Sequence, residues 1–125
     1  MVKGIGIDIA EVQRIKNAVE KYKDKFSGKI FTEEEVAYSM SLKNNEYVHL
    51  AARFAVKEAF SKAIGTGITK GFKFREVGVI NKENGEPVLI LTGDLAEKYG
   101  RYKFHVSISH TDTNAVAVVV MEEVE

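Results

Sequence analysis

Apolar residues recur along this chain with two distinct periods. Val2 to Ile9 is a short run rich in isoleucine and glycine, with Asp8 near its C-terminal end, and it reads as a strand. Its glycines point to a close approach of another backbone. From Glu11 to Phe26, the apolar residues Val12, Ile15, Val19, Tyr22 and Phe26 are spaced three and four apart and predict one amphipathic helix. On that wheel Arg14, Lys21 and Lys25 form a separate stripe, roughly 120° from the apolar centre. Thr32 followed by Glu35 is a capping-box pattern, which starts a short helix running to about Leu42. Asn44 or Asn45 then caps a longer helix, Glu46 to Ile64, whose small and apolar residues Val48, Ala52, Ala55, Val56, Ala59, Phe60 and Ala63 make one continuous stripe. Gly65 stands at its C-cap. Phe54, Glu58, Lys62 and Gly65 fall together on the flank of that stripe, at the border between core and surface.

Beyond the Gly65-Thr66-Gly67 loop the period shortens to two. Phe74 to Asn81 and Val88 to Leu91 read as strands joined through Asn84-Gly85, a hairpin signal. A brief helix from Thr92 or Gly93 to Tyr99 closes at Gly100. Lys103 to Ser109 and Asn114 to Met121 follow as strands joined by a tight turn at Thr111-Asp112. Helices early and antiparallel strands late predict an α+β domain, with an antiparallel sheet packed against the long helix. Residues 1–125 form a single domain, since no repeat, low-complexity tract or long linker divides them.

Composition narrows the function classes. The 125 residues are 45% hydrophobic and 29% charged, enough for a core and too ordered a mixture for a disordered or fibrous chain. So small a chain leaves much surface wet, which favours oligomerisation. Absence of cysteine excludes disulfides and thiolate metal sites and fits a cytoplasmic location. Ala115 to Met121, the longest apolar run, is far short of the roughly 20 residues of a membrane span, and Asp8 interrupts the first apolar stretch before it reaches the length of a signal peptide's core. No membrane association is expected. The 18 basic and 18 acidic residues balance, yet six of the basic ones, from Arg14 to Lys29, lie between Val12 and Ile30 against only Glu20 and Asp24. That basic face calls for an acidic partner. The balanced charge and single basic stripe argue against a nucleic acid as that partner.

Three groups of residues carry candidate chemistry. Asp8 ends an apolar strand, and taken alone also suits an acid facing the next helix N-terminus. Glu58 and Lys62, four apart, also suit a surface ion pair. His105-Val106-Ser107-Ile108-Ser109-His110 alternates, so Val106 and Ile108 face the core while His105, Ser107 and Ser109 share the other face; the odd spacing of His105 and His110 is wrong for a metal pair on one face. The Gly65-Thr66-Gly67 loop lacks Walker spacing. An ordinary helix stop explains it, although its amides, with Lys57, Lys62 and Lys70 nearby, also suit phosphate oxygens.

Together these stretches resemble the holo-[acyl-carrier-protein] synthase family, the small bacterial-type 4′-phosphopantetheinyl transferases. The resemblance is carried by Gly4-Ile5-Gly6-Ile7-Asp8-Ile9 with Arg14-Ile15, by Arg53-Phe54-Ala55-Val56-Lys57-Glu58-Ala59-Phe60-Ser61-Lys62-Ala63 running into Gly65-Thr66-Gly67, and by His105 to His110. It implies the 4′-phosphopantetheinyl transferase-like fold and transfer of the 4′-phosphopantetheine arm of coenzyme A to a serine of apo acyl carrier protein, in support of fatty acid biosynthesis, with release of adenosine 3′,5′-bisphosphate. It also implies magnesium at Asp8 and Glu58, with Lys62 completing the catalytic set and Glu58 helping to remove the serine proton. Coenzyme A is expected near Arg53, Lys62, Gly65, Thr66, Gly67, His105, Ser107 and Ser109. The acidic carrier protein is expected on Arg14, Lys21, Lys25 and Phe26. Homotrimers with sites at subunit borders are a further implication. The competing reading is a coenzyme A or nucleotide-binding module without catalysis, which would not need both Asp8 and Glu58.

Overall fold

The computed structural model describes residues 1–124. The chain runs β1 (Val2–Glu11), α1 (Val12–Tyr22), α2 (Asp24–Ile30), α3 (Glu33–Met40), α4 (Glu46–Ala63), β2 (Val77–Asn81), β3 (Pro87–Leu91), α5 (Gly93–Tyr99), β4 (Tyr102–His110) and β5 (Asn114–Glu123). β1, β5 and β4 form an antiparallel sheet in that order, so the first and last strands are paired side by side. β2 and β3 form a separate antiparallel hairpin. The expected α+β architecture with α4 against the sheet is present.

Two glycines set how α4 meets β1. A Cβ at Gly4 would lie 1.9 Å from the Ala63 carbonyl oxygen, and one at Gly6 equally close to that of Ala59. Only glycine permits this approach, and the alanines opposite complete it. Because strand side chains alternate, Gly4, Gly6, Asp8 and Ala10 all face α4, while Ile5, Ile7 and Ile9 point away and remain 67%, 58% and 63% exposed. The core instead comes from α4 with the inward residues Ala115, Ala117, Val119 and Met121 of β5.

The single helix expected from Glu11 to Phe26 is two helices. Lys23 adopts φ 48°, its amide closing α1 on the Val19 carbonyl (2.9 Å), while its own carbonyl accepts from Phe26 and Ser27 to open α2. No glycine or proline marks the break, and the Tyr22-to-Phe26 spacing passes through it unchanged. Lys25 and Phe26 therefore sit on α2, not on the face carrying Arg14 and Lys21. Smaller differences have local causes. Phe74–Glu76 is a 3-10 turn before β2, α3 stops at Met40, and Asn45 precedes α4 without a side-chain cap. The capping box is as expected: the Glu35 amide donates to Thr32 Oγ1 (3.1 Å) and the Thr32 amide to Glu35 Oε1 (2.9 Å).

Glu35 does more than cap. Lys57 Nζ, wholly buried, donates to Glu35 Oε1 (2.8 Å), the Phe74 carbonyl (3.0 Å) and the Val77 carbonyl (2.7 Å), and Glu35 Oε2 accepts from the Val79 amide (3.0 Å). This pair joins α3, α4 and β2 with every polar group satisfied, the condition under which a buried pair is tolerated. Burial pushes the Lys57 ammonium below the ordinary lysine range, and the Glu35 carboxylate opposes that shift.

Candidate active site

The Gly4–Ala63 and Gly6–Ala59 contacts run β1 antiparallel to α4 and deliver Asp8 beside the helical turn that carries Glu58. One turn further on, Lys62 Nζ donates to the Ile7 carbonyl (2.9 Å) and to Asp8 Oδ1 (3.1 Å). The i, i+4 partner expected for Lys62 was Glu58; the structure pairs it with Asp8 instead, because β1 lies closer to its ammonium group. Asp8 also serves no helix cap, since Glu11 occupies that position.

Asp8 lies beside Glu58 where β1 meets α4. Burial, then the proximity of the Asp8 carboxyl, raise the Glu58 carboxyl above the ordinary range, against the opposing pull of Lys62 and Arg14. Two carboxyls forced together in this way mark a place where a further positive charge is favoured. They open on a cleft of about 550 Å³ bounded by β1, α1, α2 and α4, with Arg14 on its wall and Phe26 and Phe54 on its floor. The break at Lys23 is what turns Phe26 into the cleft, 6.5 Å from Phe54 and 6.1 Å from Phe31. Sequence reading therefore named the cleft residues Asp8, Glu58, Arg14 and Phe26, and the structure brings them together. Phe54 was read only as a flank residue; its position four before Glu58 was the available signal.

The glycine loop is positioned by α4 but its amides are engaged. The Gly65 amide donates to the Lys62 carbonyl (3.0 Å) and the Gly67 amide to the Ser61 carbonyl (2.9 Å), with both glycines at positive φ. These two amides close the helix and do not form a phosphate cradle. Thr66 Oγ1 donates to the Gly67 carbonyl (2.9 Å), and Lys62 and Lys70 remain exposed beside the loop. Lys57, also expected near the loop, is held in the buried pair with Glu35.

Arg53 does not reach the cleft. It is 1% exposed, with its guanidinium bonded to Asn81 and lying 4.7 Å above the Tyr38 ring, so it ties α4 to α3 and β2. Nearby, burial, Arg53 and His110 depress the His49 imidazole below its ordinary value, and the His49 ring meets that of His110 at 6.0 Å.

His105, Ser107 and Ser109 lie on the outer face of β4, opposite the face on which Asp8 approaches α4. The register aligns them in rows: Ile5, Val120, His105; Ile7, Val118, Ser107; Ile9, Val116, Ser109. His105 Nε2 bonds Glu122 Oε1 (2.9 Å), and that bond lowers the Glu122 carboxyl. Within one chain these three residues do not join the cleft. His110 points to the other face, toward His49, as the odd spacing requires.

The described residues hold no cluster of three or more His, Asp or Glu side chains able to enclose a metal. Asp8 and Glu58 are two hard oxygen donors open to a cleft, a set that suits magnesium, which keeps waters and takes substrate oxygens for the rest of its shell. No helix among the described residues is long and apolar enough to cross a membrane.

Residues 4–119 match the model of the 4′-phosphopantetheinyl transferase superfamily. The chain is 41% identical to a holo-[acyl-carrier-protein] synthase of Clostridium acetobutylicum over 98% of each sequence. Among solved structures it is similar to a holo-(acyl-carrier-protein) synthase from Bacillus anthracis in complex with coenzyme A (3′,5′-ADP), with 43% identity, 99% of each chain covered and a TM-score of 0.81. It is likewise similar to the Neisseria meningitidis holo-[acyl-carrier-protein] synthase, with 35% identity, 98% and 100% coverage and a TM-score of 0.86. A glycine-tight strand that sets one carboxylate against another on the long helix, within a sequence alike over its whole length, makes this chain a member of the 4′-phosphopantetheinyl transferase superfamily and, within it, of the holo-[acyl-carrier-protein] synthase family.

Proposed function

We infer that the cleft between β1 and α4 is where this chain carries out its family's reaction. The 4′-phosphopantetheine arm passes from coenzyme A to a serine of apo acyl carrier protein, giving holo carrier protein and adenosine 3′,5′-bisphosphate, in support of fatty acid biosynthesis. The observation that carries this reading is the Asp8–Glu58 carboxyl pair at the cleft, with Lys62 and Arg14 beside it.

The serine oxygen forms a bond to the β-phosphorus of the coenzyme A pyrophosphate, the bond to the departing bisphosphate breaks, and the serine proton leaves. Glu58, on the wall of the cleft, would help to remove that proton. Magnesium held by Asp8 and Glu58 would supply charge neutralisation at the phosphate oxygens. Lys62, half exposed and held to β1, adds a cation for the leaving phosphates. The surface beside Gly65, Thr66 and Gly67 accommodates the nucleotide through Lys62, Thr66 and the loop rim. Arg14 and Lys21 on α1, with Lys25 and Phe26 on α2, receive the acidic carrier.

His105, Ser107 and Ser109 enter a site only as residues of a neighbouring copy. The exposed Ile5, Ile7 and Ile9, continued by Val116, Val118 and Val120, form an apolar face that a ring of three copies would bury, with the β4 hydroxyl edge running beside it. The chain acts in this reading as a cytoplasmic homotrimer. Sedimentation checks the assembly, and a fully active monomer would overturn it.

The reaction is tested by the mass of an apo acyl carrier protein after incubation with this protein, coenzyme A and magnesium. A gain of the phosphopantetheine mass is expected with the native chain and loss of that gain with Glu58→Ala. No gain with any of several carriers would leave the binding-module reading in its place.

A further inference from the structure

We propose that the carrier-docking surface continues past α2 into a second groove, and that this groove seats an acidic amphipathic segment of the carrier protein. The inference rests on the carrier reaction proposed above and extends its binding surface to residues outside the cleft.

A groove of about 710 Å³ lies between Lys29 of α2 and the chain segment leading into β2. Phe72 and Phe74 form its apolar floor, their rings edge to face at 5.0 Å. Phe74 stacks on Phe54 at 6.0 Å with the planes 9° apart, and Phe54 in turn meets Phe26 at 6.5 Å. Phe26 and Phe54 already line the carboxylate cleft. One aromatic floor thus runs from the catalytic carboxylates to the second groove, so a partner that presents its serine to Glu58 lies against both.

The rim gives the partner's charge. Lys29 and Arg75 are exposed and line the groove, and among the described residues neither has a carboxylate within ion-pair distance. Lys73, by contrast, is held by Asp94 (3.1 Å) and lies 4.0 Å from Glu76. Lys25 and Lys29 are four apart on α2 and share one side of it. Lys29 and Arg75 therefore set two unpaired cations beside the aromatic floor, and Arg14 stands on the wall of the adjoining cleft. An amphipathic helix with an apolar stripe and flanking carboxylates satisfies both features at once. A fatty acyl chain would use the floor and leave the cations idle.

The test compares carrier kinetics of the native protein, Arg14→Glu and the double variant Lys29→Glu/Arg75→Glu at several salt concentrations, with apo acyl carrier protein, coenzyme A and magnesium. The double variant is expected to raise the carrier KM about tenfold and to flatten its salt dependence, leaving kcat, the coenzyme A KM and thermal unfolding unchanged. Lys29→Gln/Arg75→Gln should give an intermediate rise, about threefold, and keeps the test available if charge reversal impairs folding. An unchanged carrier KM beside a raised one for Arg14→Glu would overturn the groove and leave the reaction standing. A changed KM for long-chain acyl-coenzyme A with the carrier KM unmoved would assign the groove to an acyl chain and likewise overturn the proposal. Failure of the native protein to modify any carrier would remove the reaction itself, and this inference with it.

Discussion

Lys57 and Glu58 are adjacent on α4 and meet opposite surroundings. Lys57 points between α3 and β2, where one carboxylate and two backbone carbonyls meet its ammonium group and water is excluded. Glu58 points to the cleft, where another acid, Asp8, stands beside it. The first arrangement is complete and holds three elements together. The second sets two acids against each other, eased in part by Lys62 and Arg14, and a proton or a further cation would ease it more. A buried tie and the candidate chemistry thus sit on neighbouring but differently surrounded sides of one helix, and the two are expected to respond differently to substitution.

The largest effect should come from Glu58→Gln, which keeps the shape and removes the carboxylate proposed to take the serine proton: kcat is expected to fall about 10²–10⁴-fold. Its stability should move the other way. A carboxyl raised in the fold favours folding at acidic pH and loses that contribution as pH rises through its folded value, so removing it should leave the melting temperature at neutral pH unchanged or higher without added cation. A marked loss of stability would show that Glu58 is structural after all.

Lys57→Met tests the other side. It leaves Glu35 buried and unpaired, and unfolding in denaturant should show a loss of about 3–5 kcal/mol, partly restored by adding Glu35→Gln. A change below about 1 kcal/mol would mean that water reaches the pair, against its complete burial. Next in size, Arg14→Glu should raise the carrier KM about tenfold and weaken its salt dependence while sparing coenzyme A binding; unchanged carrier kinetics would separate the cleft wall from the dock. The smallest effect concerns His49. Its imidazole is depressed in the fold, so the unfolded chain takes up the proton first as pH falls through the ordinary value of 6.5, and stability declines from there toward the lower folded value. His49→Gln should flatten that acid limb of the melting temperature. An identical limb would assign the acid sensitivity to other groups.

The sequence carried much of the fold because its signals were local. Alternation placed β1, β4 and β5, the Thr32–Glu35 pair marked the start of α3, and Gly65 marked the end of α4. The break at Lys23 was invisible for a physical reason: a lysine in a positive-φ conformation leaves no compositional trace, and the apolar spacing crosses it unaltered. Arg53 likewise carries no local mark of its surroundings: the family resemblance implies coenzyme A near it, and within the chain packing against Tyr38 and Asn81 turns it inward.

By itself, then, the sequence determined most of the elements, the α+β class, and the identity of Asp8, Glu58 and Lys62 as candidate chemistry, because periodicity and residue type are properties of short segments. Tertiary structure alone decided their arrangement. Two glycines against two alanine carbonyls bring Asp8 to Glu58, Lys62 pairs across to β1, and the register of β4 on β5 sets His105, Ser107 and Ser109 in rows with Ile5, Ile7 and Ile9. Those relations join residues tens of positions apart, and only close packing of the folded backbone fixes such distances.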